Sequence, residues 1–115
     1  MSENRKRCWT LDAARSMLGE VRGRTAKAVG EVEPLVASRE GLEEDSAERR
    51  AVDAALQKVI SRWLREMEAL GLEVKGLWLV DFDNGDGYYC WRWPEDAIEY
   101  FHGYEDGFAG RCRIQ

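Results

Sequence analysis

One histidine, two prolines and three cysteines are all that this 115-residue chain carries of those residue types. No apolar run approaches the roughly 20 residues needed to cross a bilayer, so no membrane partner is expected. The opening "MSENRKRCWT" has no apolar stretch of the signal-peptide kind, which makes the cytoplasm the expected location. Cys8, Cys90 and Cys112 are odd in number and far apart, which fits free thiols in a reducing compartment and not a disulfide framework. There is no Cys-x-x-Cys or His-x-x-x-His spacing, so the sequence assigns no metal site and implies no cofactor.

The composition is that of a folded chain, with 44% apolar and 34% charged residues and a net charge of −5. Residues 1–30 carry seven basic and three acidic side chains, whereas the remainder is acidic. That surplus of acid repels polyanions, so nucleic acid is not an expected partner and Arg5, Lys6 and Arg7 read as a solvated start. The expected organisation is a flexible basic N-terminus over residues 1–8 and a single domain over 9–115.

Thr10 and Asp12 mark a helix entry, since a hydroxyl can cap an orphan N–H and the helix dipole favours an acid in the first turn. Leu11, Ala14, Leu18, Val21, Thr25, Ala28, Val32 and Leu35 then alternate three and four apart, the repeat of a helix lying along another helix. Pro34 is expected to kink or stop it, and "ASREGLEEDS" at 37–46 reads as the connection, with Asp45 and Glu48 as a capping pair. Val52, Leu56, Val59, Ile60, Trp63, Leu64, Met67 and Leu70 form a second, wider stripe, closed by Gly71 as the left-handed residue with Leu72 behind it.

Ten of the twelve aromatic residues lie after position 77. Residues 77–82 and 88–93 read as two strands around the hairpin turn "DNGDG". Residues 98–104 read as a third strand, with a short helix beginning at Pro94 as the competing reading. The expected fold class is therefore α+β: a long antiparallel helical hairpin over about 10–71, followed by a small antiparallel β-sheet of two to three strands in the β-rich part from about 74 to 115.

Three stretches make the chain resemble a known family: "LVDF" at 79–82, "CWRW" at 90–93, and His102 followed by "GFAGR" at 107–111. Together they resemble the uncharacterised bacterial family catalogued as domain of unknown function 2203, over most of residues 9–111. Where that family usually has glycine before Leu-Val-Asp-Phe this chain has Trp78, and where it has Cys-Trp-Arg-Leu-Gly-Glu this chain has Trp93 and Pro94 before Glu95. The resemblance implies a shared fold and no activity.

His102 is the one side chain whose ordinary pKa suits acid-base work near pH 7, so it is the candidate catalytic residue, with Glu99, Glu105 or Asp106 to orient it. The alternative is a hydrogen-bonded strand histidine. Arg92 and Arg111 are planar cationic forks able to grip a carboxylate or phosphate, and with Trp91, Asp81 and Glu99 they make the candidate ligand-binding set. Arg92 stacked on an aromatic ring or paired with Asp81 is the structural alternative. Cys90, His102 and Cys112 are the available soft ligands, and Gly107 and Gly110 bracket a turn whose N–H groups could face an anion.

The leading functional reading is a non-enzymatic module that forms a homodimer through its helical hairpin and binds a small anionic ligand. A small enzyme using His102, with Arg92 and Arg111 holding an anionic substrate, is the first alternative. A metal-binding protein is the second.

Overall fold

Thr10 opens the first helix as its sequence position suggests, its Oγ1 accepting from the Ala13 N–H at 3.1 Å. In the computed structural model, which describes residues 8–115, helix α1 runs over Leu11–Glu40 and helix α2 over Ala47–Ala69. The expected flexible start falls almost wholly on residues 1–7, which lie outside the described residues.

The three-four seam of α1 is its buried face: Ala14, Leu18, Val21, Thr25, Ala28 and Val32. Its one polar member is fully satisfied, because the Thr25 hydroxyl donates to the Val21 carbonyl at 2.8 Å and accepts from the Trp63 indole N–H at 2.9 Å. Pro34 does not stop the helix, which continues to Glu40. A proline inside a helix costs about 3 kcal/mol. Beyond it the last turn is tied to α2 by a surface ion pair, Arg39 to Asp53 at 2.5 Å. The connection is correspondingly shorter than expected, and Ser46, not Asp45, caps α2 by accepting from the Arg49 N–H at 3.0 Å.

Gly71, at φ 93°, closes α2 as anticipated. The Gly71 N–H reaches the Glu68 carbonyl and the Leu72 N–H reaches that of Met67, the paired bonds of a Schellman ending. The chain then enters a sheet of five strands and not two or three: β1 Glu73–Gly76, β2 Leu79–Asp83, β3 Tyr88–Arg92, β4 Tyr100–His102 and β5 Cys112–Arg113, in that spatial order. All neighbours are antiparallel. The two edge strands, "EVKG" and "CR", are too short and polar to show an alternating apolar pattern, which is why the sequence alone does not reveal them.

The β1–β2 turn places Trp78 at φ 63°, a left-handed conformation unusual for a large side chain. Its ring packs edge-on against Trp63 at 4.9 Å, and its carbonyl accepts from the Trp93 N–H at 3.0 Å. Between β3 and β4 the chain is neither strand nor helix: Trp93–Pro94 is a cis peptide, and Ile98 drops into the core instead of continuing a strand. Arginines of α1 hold that loop by its carbonyls, Arg22 on Pro94 and Glu95 and Arg15 on Ile98. Strand β4 is therefore confined to three residues.

Val80, Phe82 and Trp91 face the helices and join Trp9, Trp63, Met67, Leu72 and Ile98 in the core. Strand alternation then turns Asp81, Asp83, Tyr88, Cys90 and His102 to the opposite face. These too are buried, because residues 103–111 fold back over them. No helix among the described residues is long and apolar enough to cross a membrane.

Candidate functional site

The register of the central strands assembles the site. Asp81 on β2 sits opposite Cys90 on β3, Tyr88 on β3 sits opposite His102 on β4, and Glu73 on β1 sits opposite Asp81. Gly87 lets β3 and β4 approach: a Cβ there would stand 2.6 Å from the His102 carbonyl oxygen. Asp81 and Cys90 are each 1% exposed and His102 4%.

His102 is held at both nitrogens. Nδ1 lies 2.8 Å from the Gly103 carbonyl and Nε2 lies 2.9 Å from Asp81 Oδ2. Its partner is thus Asp81, two strands away, and none of Glu99, Glu105 or Asp106, which are exposed. Gly103 O can only accept, so Nδ1 carries a hydrogen and Nε2 is left facing the carboxylate. The same oxygen of Asp81 receives the Lys75 ammonium at 3.2 Å, whereas Oδ1 is buried without a hydrogen-bond partner.

Lys75 lies 3.6 Å from Glu73 Oε1 and 3.8 Å from the Tyr88 ring centroid. Burial is the largest single influence and works against its charge, but Asp81, Tyr88 and Glu73 together outweigh it and raise the pKa. The Cys90 thiol is pushed up to about 12, first by burial and then by the Asp81 charge, with Arg111 pulling the other way. Tyr104 donates to Asp83 Oδ1 at 2.8 Å, and that bond drives its pKa up to about 12.

A cavity of about 280 Å³ opens over these groups. Asp81, Cys90 and His102 lie on its polar side with Lys75 and Tyr104, and Leu79, Gly107 and Phe108 complete the wall. One ligand atom from each of Asp81, Cys90 and His102 falls within 4.8 Å of the others.

Of the remaining residues expected at a site, Arg111 alone reaches it, its Nη1 3.7 Å from Cys90 Sγ. Trp91 is fully buried in the core and its indole N–H donates to the Glu95 carbonyl at 2.9 Å. Arg92 is exposed, pairs in register with Leu79 and not with Asp81, and stands 5.6 Å from the Phe108 ring. Arg111 is taken up by Glu95 through two bonds, at 3.2 and 2.5 Å, and is sandwiched between the Tyr100 and Phe108 rings. Glu99 pairs with Arg113 at the surface, at 3.2 Å. Cys112 is exposed and apart from Cys90. Gly107 has φ 68° and leads into a single 3-10 turn, so its freedom serves the turn. Lys75, the cation nearest the site's carboxylate, escaped the sequence reading because it lies on an edge strand with no signal of its own.

In comparison with known proteins, the family model described as "Uncharacterized conserved protein (DUF2203)" matches residues 7–114. No curated protein and no solved structure matches the chain.

Proposed function

For a chain that belongs to the DUF2203 family, whose description names no activity, the site's own chemistry must carry the reading, and we propose that this protein binds a divalent, thiophilic transition-metal ion of the zinc class at Asp81, Cys90 and His102. The observation that carries it is the buried trio of carboxylate, thiol and imidazole within 4.8 Å, one carboxylate oxygen of which has no partner.

Three further features favour it. An imidazole that donates one N–H to a backbone carbonyl presents its other nitrogen as a metal ligand, the usual arrangement around bound metal; His102 has it, with Nδ1 on Gly103. Asp81, Glu73 and Asp83 share one sheet face with a single lysine, which suits a cation. Carboxylate, thiolate and imidazole together match a borderline-soft ion better than calcium or magnesium. Against it stands the Cys90 proton, which burial holds in place and an ion must displace, so loading tightens as pH rises. Anion capture by Arg92 and Arg111 has less support, because Glu95 already occupies Arg111.

The test is a titration of reduced, metal-stripped protein with zinc and with cobalt(II), the latter followed through thiolate-to-cobalt absorption. One ion per chain is expected, with Cys90→Ser and His102→Ala each weakening binding by at least about tenfold, the range for losing a zinc-site contact. Wild-type protein that shows no cobalt-thiolate band, or Cys90→Ser that binds as tightly as wild type, sinks the reading.

Self-association through the hairpin is a second reading, favoured by the far half of α2. Over residues 47–62 Val52, Leu56, Val59 and Ile60 are only half-buried, and of these Val59 alone packs against the core cluster. The radius of gyration, 16.3 Å, exceeds the roughly 13 Å of a compact chain of this length, because the hairpin outreaches the sheet. Light scattering at tens of micromolar should give a dimer that Leu56→Glu dissociates; a wild-type monomer would refute it.

A further inference from the structure

Lys75 and the proposed metal compete for one oxygen. Asp81 Oδ2 lies 2.9 Å from His102 Nε2 and 3.2 Å from Lys75 Nζ. An ion drawn to Asp81, Cys90 and His102 takes over the carboxylate's charge, and the ammonium loses its nearest anion. It keeps Glu73 at 3.6 Å and the Tyr88 ring at 3.8 Å, so it stays at the wall of the same cavity.

Three protein donors leave a tetrahedral ion one open position, the pattern of zinc sites that take an outside ligand. The cavity lies against all three donors and against Lys75, so the open position and the released ammonium face the same space. Its apolar lining comes from Leu79, two residues from Asp81 on the same face of β2, and from Phe108, a residue 37% exposed. About 280 Å³ lies at the small end of ligand sites, room for a few carbons and not for a nucleotide. A doubly charged phosphate is disfavoured by Asp81, Glu73 and Asp83 on this sheet face.

Resting on the metal reading above, we propose that the loaded site takes a small organic carboxylate: one carboxylate oxygen on the metal ion, an ion pair with Lys75, and the hydrocarbon end against Leu79 and Phe108. No bond of the ligand is made or broken. Lys75 is then the residue that selects the ligand's charge, and its exchange between Asp81 and the incoming carboxylate couples metal loading to ligand binding.

The experiment uses the full chain loaded with cobalt(II), titrated with propionate and separately with inorganic phosphate while the visible cobalt spectrum is recorded. A saturable spectral change with propionate is expected. Lys75→Met removes the charge and keeps an unbranched side chain; it should bind cobalt at least as tightly as wild type and propionate at least about tenfold more weakly, as expected for loss of a charge-assisted contact. A cobalt-loaded protein indifferent to propionate, or Lys75→Met with unchanged propionate affinity, overturns this inference and leaves the metal site standing. Saturation by phosphate alone overturns the carboxylate choice. Failure to load cobalt removes the metal reading and this inference with it.

Discussion

Three thiols in one chain make a direct probe of the site at the level of single residues. Cys8 and Cys112 are exposed, whereas Cys90 is buried and its thiol is held protonated, with a pKa near 12. The thiolate is the reactive species, so iodoacetamide at neutral pH should label Cys8 and Cys112 in the native protein and Cys90 only after unfolding, as read by mass spectrometry. Equal native labelling of all three would show that the cover over the site is open. Thr25 supports a second prediction. Thr25→Val strips the acceptor from the buried Trp63 indole N–H, an unsatisfied group that costs about 1–3 kcal/mol. Urea unfolding should report that loss, and Thr25→Val should cost much less in a Trp63→Phe background, where the donor is already gone. The Tyr104 phenol supplies a pH test. Its folded pKa is raised above the ordinary value of 10 to about 12, so its contribution to stability is complete below pH 10 and fades as pH rises through 12. Phenolate absorbance of the native protein should lose its latest-titrating component in Tyr104→Phe.

Among the elements, the ends and turns carry the sharpest consequences. Ser46→Ala removes the cap of α2 and should cost about 1 kcal/mol, whereas Asp45→Ala, at the position the sequence favoured, should cost little. Gly87→Ala is more severe, because its Cβ would meet the His102 carbonyl oxygen and the Phe101 ring. β3 and β4 must separate to admit it, and His102 moves with them. Gly87→Ala should therefore weaken cobalt binding even in protein that remains folded by circular dichroism; unchanged cobalt affinity would detach the site from strand spacing.

Across the whole molecule, stability is unevenly distributed. The sheet end holds the aromatic core, while the apolar residues of 47–62 are at most half-buried. Hydrogen exchange should find β2 and β3 the best protected and the hairpin's distal half the least, since local opening costs little where few apolar groups are buried. Zinc that binds only the folded chain should add about 2.7 kcal/mol at one hundred times its dissociation constant. The midpoint of thermal unfolding should rise accordingly in wild type and not in Cys90→Ser.

Local patterns are enough to place the hairpin, the Gly71 ending, the "DNGDG" turn and the two central strands, because helix periodicity, left-handed glycine and strand alternation are properties of neighbouring residues. His102, Asp81 and Cys90 could each be suspected from the sequence. Their union could not be, since it depends on a register across three strands. Tertiary structure alone decided that Asp81, not Glu99 or Asp106, holds His102, that Arg111 is taken up by Glu95, and that Lys75 enters the site from an edge strand. It also carried α1 past Pro34 and buried Trp91. Each of these is a contact between residues distant in the chain, where packing and charge pairing outweigh local preference.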